Sequence, residues 1–174
     1  MPVDRLWTPW RMSYVGDAKP TGCIFCVKPA EQRDAENFIL HRSAHAYVLL
    51  NLYPYNSGHL MVVPYQHTGD LTTLPPDIGA EVLALTQHSL TALTAVYRPQ
   101  GFNVGMNLGE VAGGSVSAHL HLHVVPRWGG DTNFMPITAD TKVLPETLDQ
   151  TYSRLRPYFA GSADESEARS GDDS

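Results

Sequence analysis

Ser117-Ala118-His119-Leu120-His121-Leu122-His123-Val124-Val125-Pro126 alternates imidazole with aliphatic side chains and ends at a proline. The two-residue period of a strand puts His119, His121 and His123 on one face and Leu120, Leu122 and Val124 on the other. The aliphatic face predicts a core packed against a helix. The other face carries three imidazoles, which solvent exposure alone does not demand. Histidine moves its proton near neutral pH and serves as nucleophile and metal ligand. Two plainer readings stay open: a stack of hydrogen-bonded histidines, or a metal site made by all three. Residues two apart on a flat strand point in parallel, which disfavours convergence on one ion. The middle ring, His121, is flanked by partners that can fix its tautomer. Just upstream, Gly113-Gly114-Ser115 offers backbone N–H groups to an anion. An imidazole beside such a nest suggests attack of a ring nitrogen on phosphorus. A second nucleophile would then open the phosphohistidine-type intermediate.

Outward from this strand, the pattern predicts an α+β fold: an antiparallel sheet of about five strands with one long helix and a C-terminal helix. Phe102–Asn107 reads as the preceding strand. Ala46–Asn51 and His59–Pro64 read as a hairpin about the turn Pro54-Tyr55-Asn56-Ser57-Gly58. Pro75-Pro76-Asp77 opens a helix marked by Ile78, Val82, Leu85, Leu93 and Val96, and Arg98-Pro99-Gln100-Gly101 stops it. A short helix is expected around Glu146–Arg156, stopped near Pro157. Residues 1–34 read as an irregular arm that packs through Leu6, Trp7, Trp10 and Tyr14. The organisation expected is therefore this arm (1–34), a catalytic domain (35–160) and a disordered acidic tail (161–174).

The chain has 174 residues, 43% of them hydrophobic and 17% charged, which suits one folded domain with a tail. Of the net charge of −6, Gly161–Ser174 holds −4, with five acids and one base, so the body carries only −2. That balance opposes a broad grip on nucleic acid. It leaves room for a small phosphate ligand held by a few aimed donors. Apolar runs such as Tyr47–Leu50 are strand-sized, so no membrane span is expected. Asp4, Arg5 and two prolines stand where a secretory leader would be apolar. A cytoplasmic protein is expected.

His119-Leu120-His121-Leu122-His123-Val124-Val125 resembles the signature of the histidine-triad family, His-φ-His-φ-His-φ-φ with φ apolar. The segment from Leu49 to Pro64, with Asn51, Pro54, Gly58-His59 and Val62-Val63-Pro64, is similar to the family's other landmark. The resemblance runs from about Cys23 to Trp128. It implies nucleotide hydrolysis or transfer, with the middle histidine attacking an α-phosphate. His121 would be the nucleophile, and His123 and His59 would hold the phosphate or orient His121. Asn51 would bind ribose hydroxyls, Asn107 would lie near the phosphates, and Leu49 would line the base pocket. Gly114, Ser115 and Trp128 complete the implied nucleotide site. Leu6–Tyr14 and Pro126–Phe134 look like the bacterial branch that acts on diadenosine polyphosphates. Many members carry Gln where this chain has Ser115, and the loop from Asn107 to His119 is one residue longer than in the phosphoramidase branch. Both departures are similar to phosphorylases that use inorganic phosphate as acceptor, for which a small Ser115 would leave space beside His121. The resemblance also implies a homodimer, with magnesium as a companion of a polyphosphate substrate. A diadenosine polyphosphate hydrolase, a purine nucleoside phosphoramidase and a non-catalytic nucleotide sensor are the alternatives.

The chain has two cysteines, in Cys23-Ile24-Phe25-Cys26. In a reducing compartment this spacing favours half of a metal site over a disulfide. A redox dithiol fits less well, since no helix start is evident after Cys23. His41, His45, His59, His67, His88 and the triad could supply further ligands. The resemblance to zinc-containing relatives implies Cys23, Cys26, His67 and His119 around a structural zinc, with His119 serving the metal while His121 does the chemistry.

Overall fold

All ten positions of Ala46–Leu50 and Leu60–Pro64 are buried, because both faces of this hairpin are covered. The computed structural model describes residues 22–113, 116–131 and 144–160. The expectations placed on Leu6, Trp7, Trp10, Tyr14, Gly114, Ser115 and the acidic tail lie outside the described residues. The strands are β1 (Ile39–Arg42), β2 (Ala46–Leu50), β3 (Leu60–Pro64), β4 (Gly101–Gly105) and β5 (Leu122–Arg127). They form one antiparallel sheet in the order β1-β2-β3-β5-β4. The β2–β3 register runs from Ala46 opposite Pro64 to Leu50 opposite Leu60. The turn that joins them passes under a helix at Gly58, whose φ is +77°. A Cβ there would meet Leu93, Tyr97 and Pro126, so only glycine fits.

One face of the sheet carries Ala46, Val48, Leu50, Leu60, Val62 and Val124. The long helix packs on it through Val82, Leu85, Ala92 and Leu93. α1 spans Ile24–Ala30 and the long helix, α2, spans Pro76–Tyr97, starting and stopping where the prolines and Arg98 predict. Arg98 closes α2 in the left-handed conformation, φ +47°. α3 (Leu148–Leu155) opens with a reciprocal capping box between Thr147 and Gln150. The chain turns at Arg156 and continues as α4 (Pro157–Ala160). Leu155 and Phe159 enter the α2-side core. Pro157 therefore starts a helical turn rather than only ending one.

The opposite face carries Ile39, Tyr47, Leu49, Met61 and Val63, covered by Phe25 of α1. Two elements depart from expectation. Residues 24–30, read as part of an irregular arm, form α1, and β1 was not expected at all. The boundaries of the expected strands also move, by a single residue for β2 and β3. β4 ends at Gly105 rather than Asn107, and β5 begins only at Leu122, within the alternating stretch and after its first two histidines. His119 and His121 lie on the approach to β5. There, the Leu120 N–H donates to the Thr68 carbonyl at 2.7 Å, and His119 Nε2 donates to the Pro64 carbonyl at 2.8 Å. These bonds hold the approach against the loop after β3. Among the described residues, no helix is long and apolar enough to cross a membrane.

Candidate active site and metal centre

The register places Met61 opposite His123, so His123 shares the face covered by α1. His59, just before β3, and Asn51, just after β2, lie beside it. The His121 ring has one contact that decides its chemistry: Nδ1 lies 2.8 Å from the His119 carbonyl. A carbonyl only accepts, so Nδ1 carries the proton and Nε2 keeps its lone pair.

A second chain of contacts fixes two more tautomers. The backbone N–H of Tyr55 donates to His59 Nδ1 at 3.0 Å. His59 must then carry its proton on Nε2, which lies 2.9 Å from His123 Nδ1. His123 accepts there, leaving its own proton on Nε2. That Nε2 is buried and has no hydrogen-bond partner among the described residues. Burial and the neighbouring His123 and His121 rings push His59 down to about 3. Burial, with His121 beside it, pushes His123 down to about 4. Both rings are neutral near pH 7. The site therefore presents one nucleophilic ring nitrogen and one buried N–H donor.

His119 is turned away from this pair. Its Nδ1 lies 3.3 Å from Cys23 Sγ, 3.5 Å from Cys26 Sγ and 3.2 Å from His67 Nδ1. Cys26 Sγ lies 3.4 Å from His67 Nδ1. All four donor atoms fall within 4.8 Å of one another. Such spacings are the edge lengths of a tetrahedral metal site, about 3.4–3.6 Å for nitrogen and sulfur ligands. Both cysteines are free, and burial together with Cys23 raises the Cys26 thiol. A cation is what would offset that penalty. The cluster can hold a metal ion, and the Pro64 carbonyl fixes the His119 tautomer from outside it. The absent helix start, used above against a redox dithiol, was misread: α1 begins directly after Cys23. Two histidines closing on the sulfurs favour the metal reading instead.

The remaining expected residues divide. Asn107 lines a cavity with His123. The Asn51 side chain accepts from the Tyr53 N–H at 2.9 Å and meets His59. Leu49 is 2% exposed and packs with Phe25, Tyr47 and Met61. The Trp128 ring meets Tyr97 of α2 edge-on, at 6.4 Å, and does not line the cavity. Gly114 and Ser115 lie outside the described residues. Two residues were missed. Phe25 packs its ring on His121 at 4.8 Å and on His119 at 5.5 Å. Tyr55 orients His59 through its backbone. Phe25 was discoverable, since it stands between two cysteines that the resemblance groups with His119.

The HIT domain family matches residues 32–130. An AP-4-A phosphorylase of Mycobacterium tuberculosis is 46% identical over 166 residues, covering 91% of this chain and 85% of that protein. A crystal structure of a zinc-bound histidine triad family protein from Mycobacterium smegmatis superposes with a TM-score of 0.64 at 29% identity. It covers 83% of this chain and 97% of that one. A hypothetical histidine triad nucleotide-binding protein from Sulfolobus tokodaii, 23% identical, shares the fold with a TM-score of 0.64, covering 86% and 97%.

Proposed function

The chain belongs to the HIT domain family, and on that premise we propose that it cleaves diadenosine tetraphosphate by adenylyl transfer through His121, with inorganic phosphate as the acceptor. The observation that carries this reading is the pairing of a His121 Nε2 that keeps its lone pair with a His123 Nε2–H that has no partner among the described residues. His121 Nε2 attacks the α-phosphorus, and the bond from that phosphorus to the bridging oxygen of the β-phosphate breaks, releasing ATP. The ring gains positive charge as the N–P bond forms, and its Nδ1–H bond to the His119 carbonyl strengthens. The His123 Nε2–H donates to a phosphate oxygen. Phosphate then attacks the adenylyl-histidine, giving ADP and restoring Nε2. Water in its place would give AMP. The identity to an AP-4-A phosphorylase supports the substrate and the acceptor. Asn51 and Asn107 serve the nucleotide beside these rings. By sequence resemblance Gly114 and Ser115 belong to the nucleotide site, and the small Ser115 leaves space for the acceptor phosphate.

The metal in the cysteine–histidine cluster is zinc in this reading, since two thiols and two imidazoles at tetrahedral spacing are its preferred donors. It would tie α1 to the nucleophile's strand and take no part in phosphoryl chemistry. Magnesium would enter as counter-ion of the polyphosphate. The chain acts as a homodimer in the cytoplasm. Its free cysteines suit a reducing compartment, and β4 leaves one sheet edge unpaired. The test is incubation with diadenosine tetraphosphate with and without inorganic phosphate. ADP plus ATP, formed only with phosphate, is expected. AMP plus ATP without phosphate would assign a hydrolase instead. His121→Asn should abolish turnover while nucleotide binding persists.

A further inference from the structure

The face that carries His123 also holds a cavity of about 380 Å³ on its β4 side, enough for a group of roughly nucleoside size. His123 and Asn107 line it, but Tyr55, Asn103, Met106 and Arg127 do so as well, and the chemistry above uses none of these four side chains there. Asn51 sits on the far side of His123, toward β2, where the proposed reading puts the transferred adenylyl group, while Leu49 is buried beneath Phe25. The cavity lies across β5 from them.

We propose that this cavity seats the second nucleoside of the dinucleotide substrate, with Tyr55 as the stacking platform for its base. The inference rests on the dinucleotide reading above and extends it to the half of the substrate that departs. Tyr55 is 55% exposed, while its ring is held at 4.8 Å from the His59 ring. One side of the ring is thus anchored and the rest is open to a planar partner. Met106 supplies apolar wall. Arg127 Nη1 donates to Asn103 Oδ1 at 2.6 Å, which turns the Asn103 amide nitrogen out as a donor, the kind of group that reads a purine edge. Arg127 is itself paired with Asp131, Nε to Oδ2, at 2.5 Å. The cavity floor is therefore not a bare cation, which favours a nucleoside over a free phosphate.

The test compares diadenosine tetraphosphate with adenosine 5′-tetraphosphate, which offers the same α-phosphate without the second nucleoside. The wild type is expected to favour the dinucleotide in kcat/KM. Tyr55→Ala should cut that ratio about tenfold, and Tyr55→Phe should keep it. Asn103→Ala, at an exposed position of the edge strand, should lower the ratio as well, so a misfolded Tyr55 variant would not decide the matter. An equal ratio in wild type and variants overturns the subsite while leaving adenylyl transfer intact. A rise confined to the KM for inorganic phosphate overturns it too, assigning the cavity to the acceptor. Failure of the wild type to cleave either substrate overturns the function reading itself, and the subsite with it.

Discussion

Gly69 has no room for a side chain: a Cβ there would overlap the Ser117 carbonyl oxygen and crowd Ala118. The Gly69 loop follows His67, and the Ser117 loop leads into His119, so this contact holds two metal-ligand candidates at their spacing. Gly69→Ala is expected to cost on the order of 2 kcal/mol and to weaken metal binding, as read by denaturant unfolding and by competition with a chromogenic chelator. Unchanged values would mean the two loops separate freely. His59 and His123 make a second prediction at this scale. His59 is buried and His123 half-buried, and both rings are held neutral, at about 3 and about 4, against an ordinary value near 6.5. Between about pH 6.5 and 4 the unfolded chain binds protons that the folded chain refuses, so folding stability falls as pH drops through this window. Thermal melts at stepped pH should show the loss, and His59→Asn should flatten part of it. The sequence pattern picks out His59, His121 and His123, and the structure brings the three rings together. Strand alternation puts His119 on the same face as these rings, and only the resemblance to zinc-containing relatives gave it a separate role, because its orientation depends on the Pro64 carbonyl, more than fifty positions upstream.

α1 has seven residues, no side-chain cap and an internal Pro29, too little to stand alone as a helix. Its anchors are tertiary: Phe25 buried on the sheet, the Tyr47 hydroxyl donating to the Phe25 carbonyl at 2.7 Å, and the two cysteines. Replacing Cys23 and Cys26 together with alanine should abolish bound zinc, expected at one ion per chain in the wild type. Backbone amides of residues 24–30 should then exchange faster, with α2 and the β2–β3 hairpin still protected. Equal exchange in both proteins would show that Phe25 and Tyr47 hold α1 without the metal. The same tertiary dependence explains why α1 was illegible in sequence, whereas α2 was not: prolines, an apolar period and a stop surround α2. β1 escaped notice for related reasons. It has four residues, follows Phe38 at φ +55°, and slips register between Ile39 and His41, so no alternation survives to be read.

At the scale of the whole molecule, the sheet of the described residues has two edges, β1 and β4, and the structure treats them differently. Phe159 of α4 lies beside His41 of β1, with ring centroids 6.2 Å apart. β4 has three consecutive exposed residues, Asn103, Val104 and Gly105, and Val104 is 46% exposed. An edge strand left exposed among the described residues is a template for another strand. A two-fold axis beside β4 would pair it with its own copy and join the two sheets. The body's small net charge, −2 once the tail is set apart, puts up little electrostatic resistance to such pairing. Val104→Lys tests this arrangement. The position is open in the single chain, so folding stability should change by less than about 0.5 kcal/mol. In the dimer two lysines would face each other across the axis, and sedimentation should find monomers where the wild type gives dimers. A variant that still sediments as a dimer would move the interface elsewhere. The site itself separates two further outcomes: His121, His59 and His123 come from one chain, so a monomer should retain adenylyl transfer from adenosine 5′-tetraphosphate. Val104 also lines the cavity beside β4, so a selective fall in activity on the dinucleotide would report the lysine in that cavity as well as the loss of the partner.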